Sequence, residues 1–289
     1  MEILVTGATG FIGRSLASAL TRANIRWRAY EGRINDPLSL REQLEGVAIV
    51  VHLAGAEARG RNRLLEHVDI EGTERLLEEM KRANTPRLIY ISRLGANPNA
   101  WQRLLQVKGE IENLIRRSGV PYTILRSSTL FGREDRFLEI ILSLAMWSWP
   151  FVWLPGGGEV AMQPLWVEDL VRCILVTIER AELQTKTITV AGEERWRYHE
   201  IVRQVLVMRE MRRIRLSVPL VLLNKFFVPV LFRWWRWPAV SRYFVDRFFV
   251  PEITETDVVL RHFGFRPARL SESLAYLHRA GIRSRLWRH

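Results

Sequence analysis

The chain has 289 residues, 48% hydrophobic and 26% charged, with a mean hydropathy of -0.05. These values exclude a disordered chain and a polytopic membrane protein, and leave room for one large α/β domain or a nucleotide domain with a smaller lobe. The net charge of +12 is uneven: from Ala191 to His289 there are 19 Lys and Arg against 9 Asp and Glu, which leaves only +2 for the first 190 residues.

A basic C-terminal third can answer nucleic acid, an anionic membrane surface or an acidic protein. The single cysteine, Cys173, rules out an intramolecular disulfide and lies in an apolar stretch, so it reads as a buried, inert thiol. The chain enters a strand at once, with no basic leader and cleavage site, so a cytosolic location is expected. The six histidines, with Cys173, show no metal-ligand spacing, and no metal site is expected.

Glu2 to Thr6 reads as a buried strand. Gly7-Ala8-Thr9-Gly10-Phe11-Ile12-Gly13 follows it and opens a helix through Arg14 to Leu20. The spacing has a mechanical reading. Gly7 allows a tight turn, Gly10 lets the backbone approach a pyrophosphate, and Gly13 lets the helix pack on the strand, while the helix N-terminus offers unpaired N–H groups to the anion. Thr9, Phe11 and Ile12 lie within the same turn and count as cofactor-binding candidates.

Ile25 to Tyr30 is a second strand, closed by Glu31. An acid here takes the ribose hydroxyls of NAD, whereas Arg28 or Arg33 favours a 2'-phosphate; both signals are present. Asn35-Asp36-Pro37 reads as a turn or helix cap, Leu38 to Leu44 as a short helix, and Val47 to Leu53 as a buried strand. Leu53, Ala54 and Gly55 at its end are small enough, or close enough, for backbone contact with a cofactor. Leu64 to Lys81 is a helix, Arg87 to Ser92 a strand, Trp101 to Ser118 a helix, and Tyr122 to Arg126 a strand. This alternation predicts a Rossmann-like α/β fold, a mainly parallel sheet with helices on both faces and a smaller C-terminal lobe. Residues 1–190 are expected to form mostly the dinucleotide domain and residues 191–289 mostly the lobe, with some interleaving.

Gly7 to Gly13, Val50-Val51-His52-Leu53-Ala54-Gly55, Asp69-Ile70-Glu71-Gly72-Thr73, Leu88 to Ser92, Pro121 to Arg126, Phe131-Gly132 and Trp166 to Leu170 together resemble the extended short-chain dehydrogenase/reductase superfamily. The chain is most similar to its atypical branch, which includes NmrA-like proteins and the NAD(P)-binding accessory subunit of respiratory NADH:ubiquinone oxidoreductase. The resemblance implies an NAD(P)H cofactor, with NADP slightly favoured. It places Ser92 at the catalytic serine and Lys108 at the lysine of YxxxK, both also cofactor contacts.

The departures from that pattern decide the functional reading. The tyrosine position is Leu104, which cannot transfer a proton. Ser92 and Lys108 are then vestigial. The helix and strand that the family places after the second strand are missing, and Arg33 stands where an acid commonly holds the adenine, so the adenine side is shortened. Asp69 replaces a frequent asparagine.

Pro150 to Gln163, with Leu154-Pro155-Gly156-Gly157-Gly158, reads as a flexible loop, Pro164 to Ile178 as a strand leading into a helix, Thr187 to Ala191 as a strand, and Tyr198 to Met211 as a helix. Leu220 to Trp237 is apolar but is interrupted by Asn224, Lys225 and Pro229, and is short of the roughly 20 residues that span a bilayer. Phe226, Phe227, Arg233, Trp234, Trp235, Arg236 and Trp237 are candidates for membrane or partner docking, since tryptophan sits at headgroup depth and arginine meets anionic lipid. A buried helix of the lobe is the alternative. Nucleic acid is not favoured, because no recognisable module is present. Ile253 to Gly264 and Leu270 to Leu277 read as closing helices, and Gly281 to His289 as a basic tail.

The expected function is a noncatalytic NAD(P)-binding scaffold subunit of a membrane-associated, complex I-like respiratory assembly, peripheral on the cytoplasmic side. The alternatives are an atypical NAD(P)-dependent reductase or epimerase, and a redox-sensing assembly factor.

Overall fold

The structure is a computed structural model describing residues 1–57, 62–85, 87–223 and 242–278. In chain order its first elements are β1 (Ile3–Thr6), α1 (Phe11–Arg22), β2 (Trp27–Ala29), α2 (Pro37–Leu44), β3 (Ile49–His52), α3 (Asn62–Leu64), a wide π-helical segment Leu65–Glu71, α4 (Gly72–Arg82), β4 (Arg87–Arg93), α5 (Arg103–Arg117) and β5 (Tyr122–Ser127). There follow β6 (Leu130–Phe131), α6 (Leu138–Trp147), β7 (Phe151–Pro155), β8 (Ala161–Met162), β9 (Leu165–Trp166), α7 (Val167–Glu179), β10 (Lys186–Val190), β11 (Trp196–Arg197), α8 (Tyr198–Met208), β12 (Ile214–Val218) and α9 (Leu220–Leu222). Two short helices, Arg242–Asp246 and Val258–Phe263, come later.

The chain divides into two compact units. The first holds Met1–Ser127 with Val167–Val190, and the second Ser128–Trp166 with Ala191–His289. In the first unit six strands run in the order β10-β5-β4-β3-β1-β2, and every neighbouring pair is parallel. β1 and β3 are buried at all four positions, as strands covered on both faces must be. One apolar cluster joins Leu40 and Leu44 of α2, Leu76, Leu77 and Met80 of α4, and Val107, Ile111 and Ile115 of α5 to the sheet. α1 packs with α7. Strand order reverses at β1, between β2 and β3, and in open α/β sheets ligands bind at the carboxyl ends of the strands beside such a switch.

Local sequence explains these elements. α1 buries Gly13, Leu16, Ala19 and Leu20 along one stripe. α2 begins with Pro37 at its first turn, and the Asp36 carboxylate accepts from the Leu38 and Ser39 amides, as an N-cap does. α5 buries Leu104, Val107, Lys108, Ile111, Glu112 and Ile115. That stripe contains two charged residues, which must find partners inside. Cys173 is buried in α7, and burial pushes its thiol up.

The expected extra strand beyond β2 is indeed missing: among the described residues β2 pairs only with β1, and the chain passes from β2 through α2 directly to β3.

The second unit has a core of α6, β7, α8 and later segments, including Phe137, Ile141, Val152, Leu154, Ile201 and Val205. Residues 138–147 form a helix for which the sequence analysis gives no expectation. The segment expected as a loop around Leu154 is strand β7 up to Pro155, followed by a single turn, Gly156–Gly158, with all three glycines at positive φ. β7 pairs in parallel with β12. The closing segment Leu270 to Leu277 is not a regular α-helix; a 3-10 turn, Leu274–His278, stands there. The docking candidates Phe226, Phe227, Arg233, Trp234, Trp235, Arg236 and Trp237 lie outside the described residues, as does the basic tail.

Candidate functional site

The glycine turn closes the carboxyl end of β1. Gly7 has φ +72, and a Cβ on it would lie 2.8 Å from the Ala54 nitrogen. A Cβ on Gly13 would lie 2.2 Å from the Gly7 carbonyl oxygen. Those two positions are therefore fixed as glycine by the close approach of β1, α1 and the end of β3. At Gly10 a Cβ would meet only the Gly7 oxygen, at 3.1 Å; the rest of its surroundings is open. Gly10 is also the N-cap of α1, where no side chain caps the helix and the first turn carries no acid. Thr9 and Gly10 are exposed, and Phe11 and Ile12 half-buried. An uncapped helix N-terminus reached across a bare glycine is a cradle that fits a pyrophosphate.

Leu53, Ala54 and Gly55 stand opposite, at the end of β3. The Thr6 hydroxyl accepts from the Leu53 and Ala54 amides, both at 3.2 Å, and bonds His52 Nδ1 at 2.7 Å. His52 Nε2 meets the Thr73 hydroxyl at 3.1 Å. Burial, reinforced by the Lys108 charge, pushes the imidazole down to about 3. His52 is thus a neutral brace for the cofactor-side loop.

Lys108 is not a solvated helix lysine. It is buried, with Nζ 3.3 Å from Asp69 Oδ1 and 3.2 Å from the Tyr90 hydroxyl. The other Asp69 oxygen accepts from the Ala56 amide at 2.7 Å. Burial works against the charge on Lys108, and the Tyr90 and Asp69 oxygens more than offset it, so the ammonium is held. Burial pushes the Asp69 carboxyl up, with Lys108 pulling the other way.

Ser92 donates to Glu112 Oε1 at 2.7 Å, and the same buried carboxylate takes both Arg126 and Arg116. Leu104, one turn before Lys108, is buried. Tyr90 is the nearest phenol to Lys108, but burial pushes it up to about 12. A proton donor works best with a pKa near the ambient pH, and the burial of Tyr90 moves it away from that range.

Two of the cofactor candidates have partners within the protein. Arg28 was a candidate for a 2'-phosphate. Its guanidinium instead bonds the Gln43 and Glu45 carbonyls at 2.7 and 2.8 Å and pairs with Glu2 at 3.2 Å. Glu2 precedes β1, so Arg28 reaches the amino end of the sheet, opposite the glycine turn. Ser92 was a candidate cofactor contact, and its proton goes to Glu112. Glu31 is exposed just past β2, its backbone pinned by Gln43 at 2.9 and 2.6 Å. On the adenine side, the Asn35 side-chain nitrogen donates to the His67 carbonyl at 2.7 Å, while its buried oxygen has no partner.

The residues that sequence reasoning missed are Asp69, Tyr90 and Glu112 as partners of Lys108 and Ser92. The signal was available: Lys108 and Glu112 fall on the apolar stripe of α5, and a charge there demands an opposite charge.

Residues 17–137 match the NAD(P)H-binding family. The first unit is an NAD(P)-binding Rossmann domain. Over 307 aligned residues the chain is 26% identical to the mitochondrial NADH dehydrogenase (ubiquinone) 1 alpha subcomplex subunit 9 of Mus musculus, covering 95% of this chain and 79% of that protein. It is 25% identical over 292 residues to the mitochondrial NADH-ubiquinone oxidoreductase 40 kDa subunit of Neurospora crassa, covering 92% and 76%. Its fold is shared with MoeE5 in complex with UDP-glucuronic acid and NAD, at a TM-score of 0.75, 20% identity and coverage of 96% and 97%. UDP-glucose 4-epimerase of Thermotoga maritima shares it at a TM-score of 0.72, 19% identity and the same coverage. The chain is thus similar in sequence to mitochondrial subunits of NADH dehydrogenase and shares the fold of MoeE5 and of a UDP-glucose 4-epimerase. Among the described residues no group of His, Cys, Asp and Glu could hold a metal ion, and no helix is long and apolar enough to cross a membrane.

Proposed function

We propose that this chain is a scaffold subunit that holds a dinucleotide without turning it over, in an assembly of the NADH:ubiquinone oxidoreductase kind, docked peripherally on the cytoplasmic side of a membrane. One observation carries the reading. The glycine cradle is complete, while each group at the family's catalytic positions is engaged or inert: Leu104 has no proton, Lys108 is bonded to Asp69 and Tyr90, and Ser92 to Glu112. A site that keeps its binding half and closes its chemical half suits a structural ligand, whose affinity adds to the stability of the fold by mass action. The two mitochondrial relatives support the partner.

For the cofactor, Glu31 stays at the ribose end of β2 while Arg28 is withdrawn, which favours NAD(H) over NADP. Gly7, Gly10 and Gly13, with the α1 amides, would hold the pyrophosphate; Leu53, Ala54 and Gly55 would line the opposite side. The bound dinucleotide would supply hydride chemistry if a proton partner were present, and the residues at Leu104 and Tyr90 supply none.

Gentle purification from the native membrane fraction, with mass spectrometry of co-purifying proteins and released dinucleotide, tests this. Recovery with NADH dehydrogenase subunits and near-stoichiometric dinucleotide, unchanged during respiratory turnover, is expected. A free chain whose dinucleotide exchanges and cycles between oxidised and reduced forms overturns it and returns the atypical reductase.

A further inference from the structure

We infer that the outer face of the β7–β12 pair is a docking surface for an anionic phospholipid bilayer. The inference rests on the peripheral-membrane part of the function proposed above, and it names a surface which that proposal does not.

The geometry starts from the register. Phe151 stands opposite Ile214, and Trp153 opposite Leu216, in a parallel pair. Paired residues point to the same side of a sheet. Val152 and Leu154, on the other side, are buried in the core of the second unit. The outward side therefore presents Phe151, Ile214 and Leu216 to solvent, with Ile214 59% exposed. Trp149 stands two residues before Phe151 in the chain. It is 74% exposed, and its neighbour Pro150 accepts from the Ile214 amide at 2.9 Å. Beyond the end of β12 Val221 is 70% exposed, just past Leu220, which lies against Gly156. Exposed Phe151, Ile214 and Leu216 cluster at one end of the pair, whose other end buries Pro155 and Val218 on the same side; such a cluster differs from the single exposed leucines of any surface.

Charge identifies the occupant. Residues 140–158 contain no charged side chain, and residues 211–245 contain seven Lys and Arg and no Asp or Glu. Arg212 is exposed two residues before Ile214, whereas Arg215, also exposed, stands opposite Val152 on the other side of the pair. Exposed aromatic and aliphatic side chains beside Arg212, in segments devoid of acids and, in one of them, rich in Lys and Arg, match the headgroup boundary of an anionic leaflet, where aromatic rings insert and basic side chains meet phosphate. The apolar and arginine-rich run from Leu220 to Trp237 continues the same composition along the chain.

The test is co-sedimentation of the full-length chain with phosphatidylglycerol-containing vesicles and with vesicles of phosphatidylcholine alone. The wild type is expected to sediment with the anionic vesicles, less at high salt. Trp149→Ser with Ile214→Ser should lower that partitioning by about tenfold or more, and Arg212→Glu by about tenfold. All these positions are exposed, and circular dichroism and dinucleotide content should stay unchanged. Wild type that ignores both vesicles, equal sedimentation of the Trp149/Ile214 variant, or equal binding to neutral lipid overturns the inference. So does self-association that the same variant abolishes, which would assign the face to a second copy. A cross-link from residue 149 to a protein subunit in native membranes would assign it to a protein partner and likewise overturns it. Dinucleotide retention is read on the same samples. Vesicle binding that fails while a non-exchanging dinucleotide persists removes the bilayer surface and leaves the scaffold; turnover with intact vesicle binding does the reverse.

Discussion

Lys108 Nζ lies 3.3 Å from Asp69 Oδ1. Both residues are buried. Removing one partner of such a pair strands the other charge in a low dielectric, whereas removing both leaves a gap that is easier to tolerate. Asp69→Asn and Lys108→Met should each destabilise the fold by about 3 kcal/mol or more, and the double variant should lose clearly less than the sum. Urea unfolding of the four proteins measures this; additive losses would mean that the two groups do not interact.

The glycine turn separates folding from ligand binding. Gly13→Ala drives a methyl to 2.2 Å from the Gly7 oxygen and should cost about 1–3 kcal/mol of stability. Gly10→Val crowds only the Gly7 oxygen, at 3.1 Å, and should lower the melting temperature of the dinucleotide-free chain less than Gly13→Ala does. Its dinucleotide affinity should fall by about tenfold or more, because the side chain fills the approach to the α1 amides. Titration calorimetry separates the two effects, and a Gly10→Val protein that binds like the wild type would place the phosphates elsewhere.

His52 sets a pH dependence. Its folded value is near 3 and an unfolded histidine titrates near 6.5, so the unfolded chain takes up a proton that the native chain refuses. The stabilisation is fully present above pH 6.5. It is lost as pH falls from there toward 3, at about 1.4 kcal/mol per unit within that window. His52→Gln should flatten the slope of stability between pH 6.5 and about 4 relative to wild type. Equal slopes in the two proteins would show that the imidazole is protonated in the fold.

Glu112 is the hub of the second buried cluster. Ser92→Ala removes one hydrogen bond and should cost about 1 kcal/mol with no change in dinucleotide content. Glu112→Gln leaves the Arg126 and Arg116 guanidinium groups without their carboxylate and should cost about 3 kcal/mol. Loss of dinucleotide from Ser92→Ala would return that hydroxyl to the cofactor.

The glycine turn, the parallel βα alternation and the Asp36 cap were legible in the sequence, because each is a local demand: a backbone that tolerates no Cβ, an apolar period, a free amide. The missing strand beyond β2 was legible by comparison with the family pattern. The fate of Arg28 was not, since only the register Leu4↔Arg28 decides which end of the sheet a long side chain reaches. Lys108 finds Asp69 39 residues away, across a π-helical turn that no periodicity announces. Residues 138–147 are apolar on nearly every side, so their pattern names a buried helix without naming which of the two cores receives it.

The loss of the outer strand has a consequence for how the chain keeps to itself. β2 ends the sheet, and one side of its backbone has no strand partner among the described residues. Such a margin invites any extended polypeptide to add to it. Here it is only three residues long, too short to template a lasting ladder, and Arg28 ties its middle to the exit of α2. The sheet thus ends in a blunt border, which guards against edge-to-edge aggregation.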